Sequence, residues 1–179
     1  MDEIAEAVGI SKPMLYSYFG SKEGLFLACV DRAAESILGD VRAAVLDSPT
    51  PELRLWHGLV AVFTFVEDNR ESWSILYPYG PTSAGPFAEG AVRARDAMAG
   101  LLVELFADTA IDAGVDPEVA SETEPLAHAL VGATIALASW WRQRPDEPRE
   151  LQAMRLMNFA WMGLGDLIEG RMWIPPAEA

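Results

Sequence analysis

The chain has 179 residues, of which 51% are hydrophobic and 22% charged, so it can build a substantial core and is not compositionally disordered. Its single cysteine excludes an intramolecular disulfide and a cysteine-based zinc site. Without a signal-peptide pattern or the ~20 apolar residues of a membrane span, we expect a cytoplasmic protein that makes no membrane contact.

The charge is unevenly distributed along the chain. The net charge of −14 argues at first sight against nucleic acid, because contacts to phosphates supply most of the affinity. Residues 11–22, however, contain Lys12 and Lys22, the only two lysines of the chain, and no acidic residue. A small basic segment on an acidic body confines DNA affinity to one surface. The charge pattern is compatible with DNA binding but does not by itself indicate it.

Helix start and stop signals are frequent and strand signals are almost absent, which predicts an all-α fold. The first predicted helix covers 2–8 and is ended by Gly9. The second runs to Phe19, and we expect the Ser11 side chain to cap it by accepting the amide proton of Met14. Apolar residues three and four apart predict a long helix over 22–46, with Cys29 as one of its small buried residues.

Further helices are predicted over 51–69, 71–76, 88–113, 116–141 and 150–168. A loop rich in proline and glycine covers 77–87, and Pro175 and Pro176 close the chain in a tail.

The last two long helices are apolar over more than one face. A helix that packs only on its own domain needs one apolar stripe, so something else must cover the second. A homodimer in which this helix pair meets its copy would cover it; burial of one helix inside a monomer is the alternative. We expect the dimer interface at Leu130, Leu137, Trp141, Met157, Trp161, Leu164 and Ile168.

Residues 1–19 are typical of a helix-turn-helix. Ala5 is the small residue where the two helices touch, and Gly9 supplies the turn. The expected core of this unit consists of Ile4, Val8, Ile10 and Leu15. The second helix directs outward or sideways Lys12, Met14, Tyr16, Ser17 and Tyr18. This mixture of a cation, hydroxyl groups and aromatic rings suits phosphate oxygens and base edges.

The continuation makes the pattern specific. The segment 4–26 reads IAEAVGISKPMLYSYFGSKEGLF and resembles the DNA-binding signature of the TetR family of bacterial repressors. That signature has Ile-Ala, a Gly-Val/Ile-Ser turn, Tyr-x-x-Phe on the recognition helix, and Lys-Glu-x-Leu-Phe entering the next helix. Beyond this segment only the length and the order of helices match.

The resemblance implies a helix-turn-helix domain over 1–30 and a helical ligand-binding and dimerisation domain over 31–179. It implies a DNA-binding transcriptional regulator, a repressor that a small lipophilic effector releases from an inverted-repeat operator in double-stranded DNA. No cofactor or metal is expected. The implied DNA contacts are Ser11, Lys12, Met14, Tyr16, Ser17, Tyr18 and Lys22, with Tyr16 and Lys22 on phosphates. Pro13 departs from the family's usual small residue and removes one amide donor.

In the family, a pocket among the middle helices accepts the effector and moves the helix that follows the recognition helix. Here the middle helices carry a largely aromatic set, which is usually core and favours a lipophilic effector. Its members are Trp56, Phe63, Phe65, Trp73, Leu76, Tyr77, Met98, Leu102, Phe106 and Trp140. Glu67, Asp68 and Glu104 are candidate anionic partners for a cationic compound.

Two alternatives stay open. An enzyme is disfavoured because His57 and His128 lie on predicted helices without a nearby nucleophile or metal-spaced carboxylates. The other is a dimeric ligand-binding or interaction protein that has lost effective DNA binding. It stays open because the family's first helix has no counterpart here: Met1 stands where the family's second helix begins. We expect a longer reading frame that encodes this helix.

Overall fold

The computed structural model describes residues 1–77, 86–113, 123–144 and 146–168, and for 86–87, 107–113, 123 and 163–168 it describes the backbone alone. Throughout these ranges the regular structure is helical, which confirms the all-α prediction. The helices are α1 (Asp2–Val8), α2 (Lys12–Phe19), α3 (Lys22–Leu46), α4 (Pro51–Asp68), α5 (Arg70–Leu76), α6 (Pro86–Ala113), α7 (Thr123–Trp141) and α8 (Arg149–Ile168). The loop predicted after Tyr77, the helix start at Asp116 and the tail with Pro175 and Pro176 fall outside the described residues.

Local capping explains where α3 and α4 begin. The Ser21 hydroxyl oxygen accepts the amide proton of Gly24 at 2.9 Å, and the Thr50 hydroxyl oxygen accepts that of Leu53 at 3.4 Å. The Ser11 prediction is wrong: its side chain makes no capping bond, and its carbonyl oxygen accepts the Met14 amide proton at 3.0 Å. The first turn of α2 is closed by the backbone, and the Ser11 side chain stays exposed.

α3 is the helix around which the rest of the chain packs. It buries one stripe of apolar residues: Val30, Ala33, Ile37, Val41 and Val45. It contacts α2 near its start and α4, α5 and α6 along its length, while α8 packs on α4 and α7 lies between α6 and α8. Cys29 is exposed, contrary to prediction, because it lies beside the buried stripe rather than in it.

The turn between α7 and α8 is fixed by hydrogen bonds. Trp141 Nε1 donates to the Glu147 carbonyl oxygen at 2.8 Å, and the fully buried Gln152 donates to the Glu147 carboxylate at 3.0 Å. Arg149 at the start of α8 bonds the Glu67 carboxylate of α4 at 2.8 Å. The first two bonds join the end of α7 to the start of α8, and the third joins α8 to α4.

Candidate DNA-binding site and effector core

A left-handed glycine makes the sharp turn between α1 and α2. Gly9 has φ of 70°, a conformation that costs glycine little and other residues more. Its amide group and that of Ile10 donate to the carbonyl oxygens of Glu6 and Ala5 at 3.2 and 3.0 Å. Ala5 and Leu15 are buried at the crossing of the two helices. The sequence therefore specifies the helix-turn-helix geometry locally.

The predicted core of this unit is only partly correct. Ile4 is 41% exposed and Val8 is 60% exposed, whereas Ile10 is half-buried. α1 packs on α2 through the side that carries Ala5, so its other side faces solvent. The core between the two helices consequently reduces to Ala5 and Leu15.

The outward face of α2 presents the side chains predicted to contact DNA. Met14, Tyr16 and Tyr18 are exposed, and so are the polar residues Ser11, Lys12 and Ser17. Leu15 is 2% exposed and anchors the opposite face, which fixes the rotation of α2. A short helix that exposes hydroxyl groups, aromatic rings and a cation on one surface has the composition of a major-groove reading head.

The junction from α2 to α3 brings a cation to a helix start. Lys22 is exposed in the first turn of α3, directly after the Ser21 cap. Backbone amide groups at a helix N-terminus attract anions, so a phosphate near Lys22 meets both the cation and the helix dipole. Hydrogen bonds from its own amide group and from Ser21 hold the pKa of Glu23 below its usual value.

Gly24 sets how closely α2 approaches α3. A Cβ at this position would overlap the Phe19 carbonyl oxygen and lie 3.2 Å from the Phe19 carbonyl carbon. Both neighbours are backbone atoms, which cannot rotate away. Sequence reasoning used Gly24 only as one letter of a motif, although glycine is the residue that permits close approach to the backbone.

An acidic residue of α1 neutralises one of the predicted DNA contacts. Lys12 Nζ lies 2.9 Å from the Asp2 carboxylate, and both side chains are exposed. The hydrogen bond raises the pKa of Lys12 and lowers the pKa of Asp2. Sequence reasoning missed this pair, which is formed only when the Gly9 turn folds α1 back on α2.

The aromatic set of the middle helices forms the core of the larger half. Six of its members are buried: Phe63, Phe65, Trp73, Leu76, Tyr77 and Met98. Trp56, Leu102 and Phe106 are half-buried and pack against this core. The Phe63 and Trp141 rings meet edge to face at 5.8 Å, and the Trp73 and Tyr77 rings lie 4.5 Å apart. These nine residues form or border the apolar core of the larger half.

Trp140 stands apart from this set and corrects the prediction. It is 39% exposed, and the Arg144 guanidinium carbon lies 4.0 Å from the centre of its ring.

The proposed anionic partners are also outside the core. Glu67 pairs with Arg149 and Glu104 with Arg42, while Asp68 is exposed.

The predicted dimer residues do not share one environment. Leu130 and Trp141 are buried in the core of the single chain, so neither is available to a partner. Leu137, Met157 and Trp161 are half-buried against the same core, and the side chains of Leu164 and Ile168 lie outside the described residues. The outward apolar residues of the two helices are instead Trp140, Met154, Phe159 and Met162. The periodicity of apolar residues identified helices with two apolar faces, but it does not show which face packs on the chain's own core.

One histidine has a hydroxyl neighbour that the sequence did not predict. Ser48 Oγ lies 2.8 Å from His57 Nδ1 and 3.2 Å from the Ala44 carbonyl oxygen. The Ser48 hydroxyl group therefore links the end of α3 to His57 of α4. His128 is exposed.

Among the described residues, no cluster of His, Cys, Asp or Glu side chains could hold a metal ion, and no helix is long and apolar enough to cross a membrane.

A helix-turn-helix with an exposed reading face, joined by one long helix to an apolar helical body, defines a class of DNA-binding regulators. Residues 1–29 match the family described as bacterial regulatory proteins, tetR family. Residues 51–163 match the family described as tetracyclin repressor-like, C-terminal domain. The chain belongs to the TetR family and is a DNA-binding transcriptional regulator.

Individual relatives agree with this assignment. The HTH-type transcriptional activator FasR of Mycolicibacterium smegmatis is 28% identical over 166 residues, which are 92% of this chain and 73% of FasR. A TetR-like transcriptional regulator from Rhodococcus sp. RHA1 is 31% identical, with a TM-score of 0.69 over 92% of this chain and 83% of that protein. The fatty acid degradation regulator FadR from Bacillus halodurans shares the fold, with a TM-score of 0.75 over 96% of this chain and 88% of FadR at 14% identity.

Proposed function

We propose that the chain is a repressor that binds an inverted-repeat operator as a homodimer and is released by a small lipophilic effector. The observation that carries the DNA-binding part is the exposed face of α2, held in position by the buried Leu15. Two copies related by a two-fold axis would present two such faces, and an inverted repeat is the DNA sequence that matches that symmetry.

Contacts to DNA are proposed at Ser11, Lys12, Met14, Tyr16, Ser17, Tyr18 and Lys22. Lys22 is the strongest candidate for a phosphate contact, because its cation is exposed at the capped start of α3. Each phosphate contact releases about one counterion, so it can be counted from the salt dependence of binding.

Fluorescence anisotropy with a duplex that the chain enriches from a random pool tests this contact. Lys22→Ala should weaken binding to all duplexes alike and reduce the slope of log affinity against log salt by about one. Arg70→Ala is the matched control, because Arg70 is an exposed cation on α5 and belongs to neither α2 nor α3. Equal salt slopes for Lys22→Ala and the unmodified chain would contradict the contact.

The homodimer is proposed to form through the outward faces of α7 and α8. On α8, Met154, Phe159 and Met162 are 48%, 75% and 73% exposed, and such clusters on soluble proteins mark interfaces. On α7, the outward strip carries the small residues Ala129, Gly132 and Ala136, which let a second helix approach closely.

Phe159→Glu should yield monomers, because a dry interface cannot solvate the new carboxylate. Leu46→Glu is the control, since Leu46 is 80% exposed at the end of α3 and lies on neither helix. Size-exclusion chromatography with light scattering measures both. A monomeric unmodified chain at micromolar concentration, or a dimeric Phe159→Glu variant, would show the proposed interface to be wrong.

Effector release is proposed to act through α3. This helix runs without a break across the proposed domain boundary at residue 30, carries α2 at one end and contacts α5 and α6 of the apolar core. An effector that favours a different packing of the core by a few kcal/mol would therefore change the position of α2. The aromatic composition of the core supports a lipophilic compound.

The sign of regulation needs its own test, because FasR is named as an activator. Transcription in vitro from a promoter overlapped by the enriched duplex should fall when the unmodified chain is added. A rise in transcript would contradict repression and leave DNA binding intact.

A second candidate is a dimeric ligand-binding protein with little DNA affinity. Two observations favour it: Ile4 and Val8 of α1 are exposed, and Asp2 neutralises Lys12. Failure to enrich any duplex, combined with dimer formation, is the result that this candidate predicts.

A further inference from the structure

The indole N–H group of Trp73 lies in the core and has no acceptor among the described residues. The Trp73 side chain is 1% exposed, and Nε1 is buried with no hydrogen-bond acceptor in the part of the chain that the structure describes. A buried tryptophan ordinarily finds an acceptor, because an unpaired donor in an apolar interior retains the full cost of its desolvation. Because this donor is unpaired among the described residues, a bound molecule with an acceptor would remove that cost.

A second donor lies next to it, directly after the end of α5. Tyr77 follows Trp73 by four residues, its ring centre is 4.5 Å from that of Trp73, and its side chain is buried. Burial raises the pKa of Tyr77 to about 12, although the nearby Arg95 cation opposes this shift. The phenol is therefore protonated and neutral at physiological pH, and its hydroxyl can donate beside the indole.

We propose that Trp73 Nε1 donates a hydrogen bond to a neutral carbonyl oxygen, that of a ketone, ester or amide, on an apolar effector. This inference rests on the proposed function, because it names the chemistry that the effector core recognises. A carboxylate fits less well: a neutral N–H group does not compensate the desolvation of a full charge. Arg95, the cation that acts on the pKa of Tyr77, is exposed, so a carboxylate paired with it would lie at the surface.

The position of Trp73 links this bond to DNA binding. α5 contacts α3, α4 and α6, and α3 carries α2. A carbonyl compound bonded to Trp73 thus acts on α5, which packs on α3. Formation of this one hydrogen bond would change how α5 packs on α3, and so the position of α2.

The test uses the unmodified chain with ¹⁵N-labelled tryptophan and three probes: 2-decanone, decanoate and 1-decene. The Trp73 indole resonance, one of six, is assigned through its Overhauser contact with the Tyr77 ring and by its loss in Trp73→Phe. We expect 2-decanone to move this resonance downfield and 1-decene to leave its hydrogen-bond shift unchanged. Trp73→Phe should weaken 2-decanone binding about tenfold and leave 1-decene binding unaltered.

Trp140→Phe is the matched control, because Trp140 is exposed and its ring lies beneath Arg144. A Trp73 resonance that does not move at the solubility limit of 2-decanone, or one that responds more strongly to decanoate, overturns the inference. If Trp73→Phe does not fold, the resonance shift in the unmodified chain still decides. DNA release is measured separately by anisotropy: a shift of Trp73 without release contradicts the induction mechanism and leaves the carbonyl site standing.

Discussion

Replacement of Gly24 by alanine is the perturbation with the clearest steric consequence. The added Cβ would overlap the Phe19 carbonyl oxygen and lie 3.2 Å from the carbonyl carbon and 3.6 Å from Ser21 Oγ. Since the first two neighbours are backbone, the end of α2 must move away from α3. Overpacking of this kind costs about 1–3 kcal/mol.

The cost falls on the contact that positions the reading face, so it should appear in DNA affinity. A loss of ~2 kcal/mol corresponds to an affinity lower by about thirtyfold. The larger helical half should keep its stability, because the atoms nearest to the added Cβ belong to Phe19 and Ser21 and not to its core.

Gly39→Ala is the matched control on the same helix, since a Cβ there meets nothing within 4 Å. Alanine in an exposed helix interior is more favourable than glycine by about 1 kcal/mol, so this variant should unfold at a higher temperature and bind DNA as before. Anisotropy gives the affinities and circular dichroism the unfolding curves. Unchanged DNA affinity in Gly24→Ala, or an equal loss of stability throughout the chain, would refute the reasoning.

Three further outcomes are expected. Asp2→Asn should free Lys12, raise DNA affinity severalfold and steepen the slope of log affinity against log salt by about one. Glu3→Gln removes the same charge nearby and should raise the affinity less. Equal effects of the two variants would show that the ion pair does not influence DNA binding. The pKa of Tyr77 is raised from 10.0 to about 12, so the contribution of the buried phenol to stability is complete below pH 10 and is lost as pH rises through 12. The free energies of unfolding of the unmodified chain and Tyr77→Phe, from urea titrations, should diverge over this pH range. An equal pH dependence of the two free energies would contradict the shift. Trp141→Phe removes a 2.8 Å hydrogen bond across the α7–α8 turn and should lower the free energy of unfolding by about 1–3 kcal/mol, which denaturant curves measure.

Local signals made most helices predictable from the sequence. The cap at Ser21, the Thr50-Pro51 start and the Gly9 turn each act within four residues, so they are visible before the fold is known. The exposure of the α2 face followed from the same local reasoning, because Leu15 was assigned to the core and the polar and aromatic residues of α2 to its outer side.

Features that depend on distant contacts were not predictable in this way. Leu130 and Trp141 lie on helices with two apolar faces, and periodicity does not show which face the chain's own core covers. The pairing of Asp2 with Lys12 requires the two helices to cross, and the unpaired N–H group of Trp73 requires the packing of four helices. The helix expected ahead of Met1 stays a prediction.

Selection of binding sites from a random duplex library tests the central claim most directly, because the operator sequence does not have to be known. The unmodified chain should enrich sequences with two symmetry-related halves, whose centres are separated by about 10 base pairs or a multiple of this spacing. A variant that combines Tyr16→Phe with Lys22→Ala should enrich them far less. The account is contradicted if the unmodified chain enriches nothing beyond what this double variant enriches, or if the enriched sites lack two-fold symmetry.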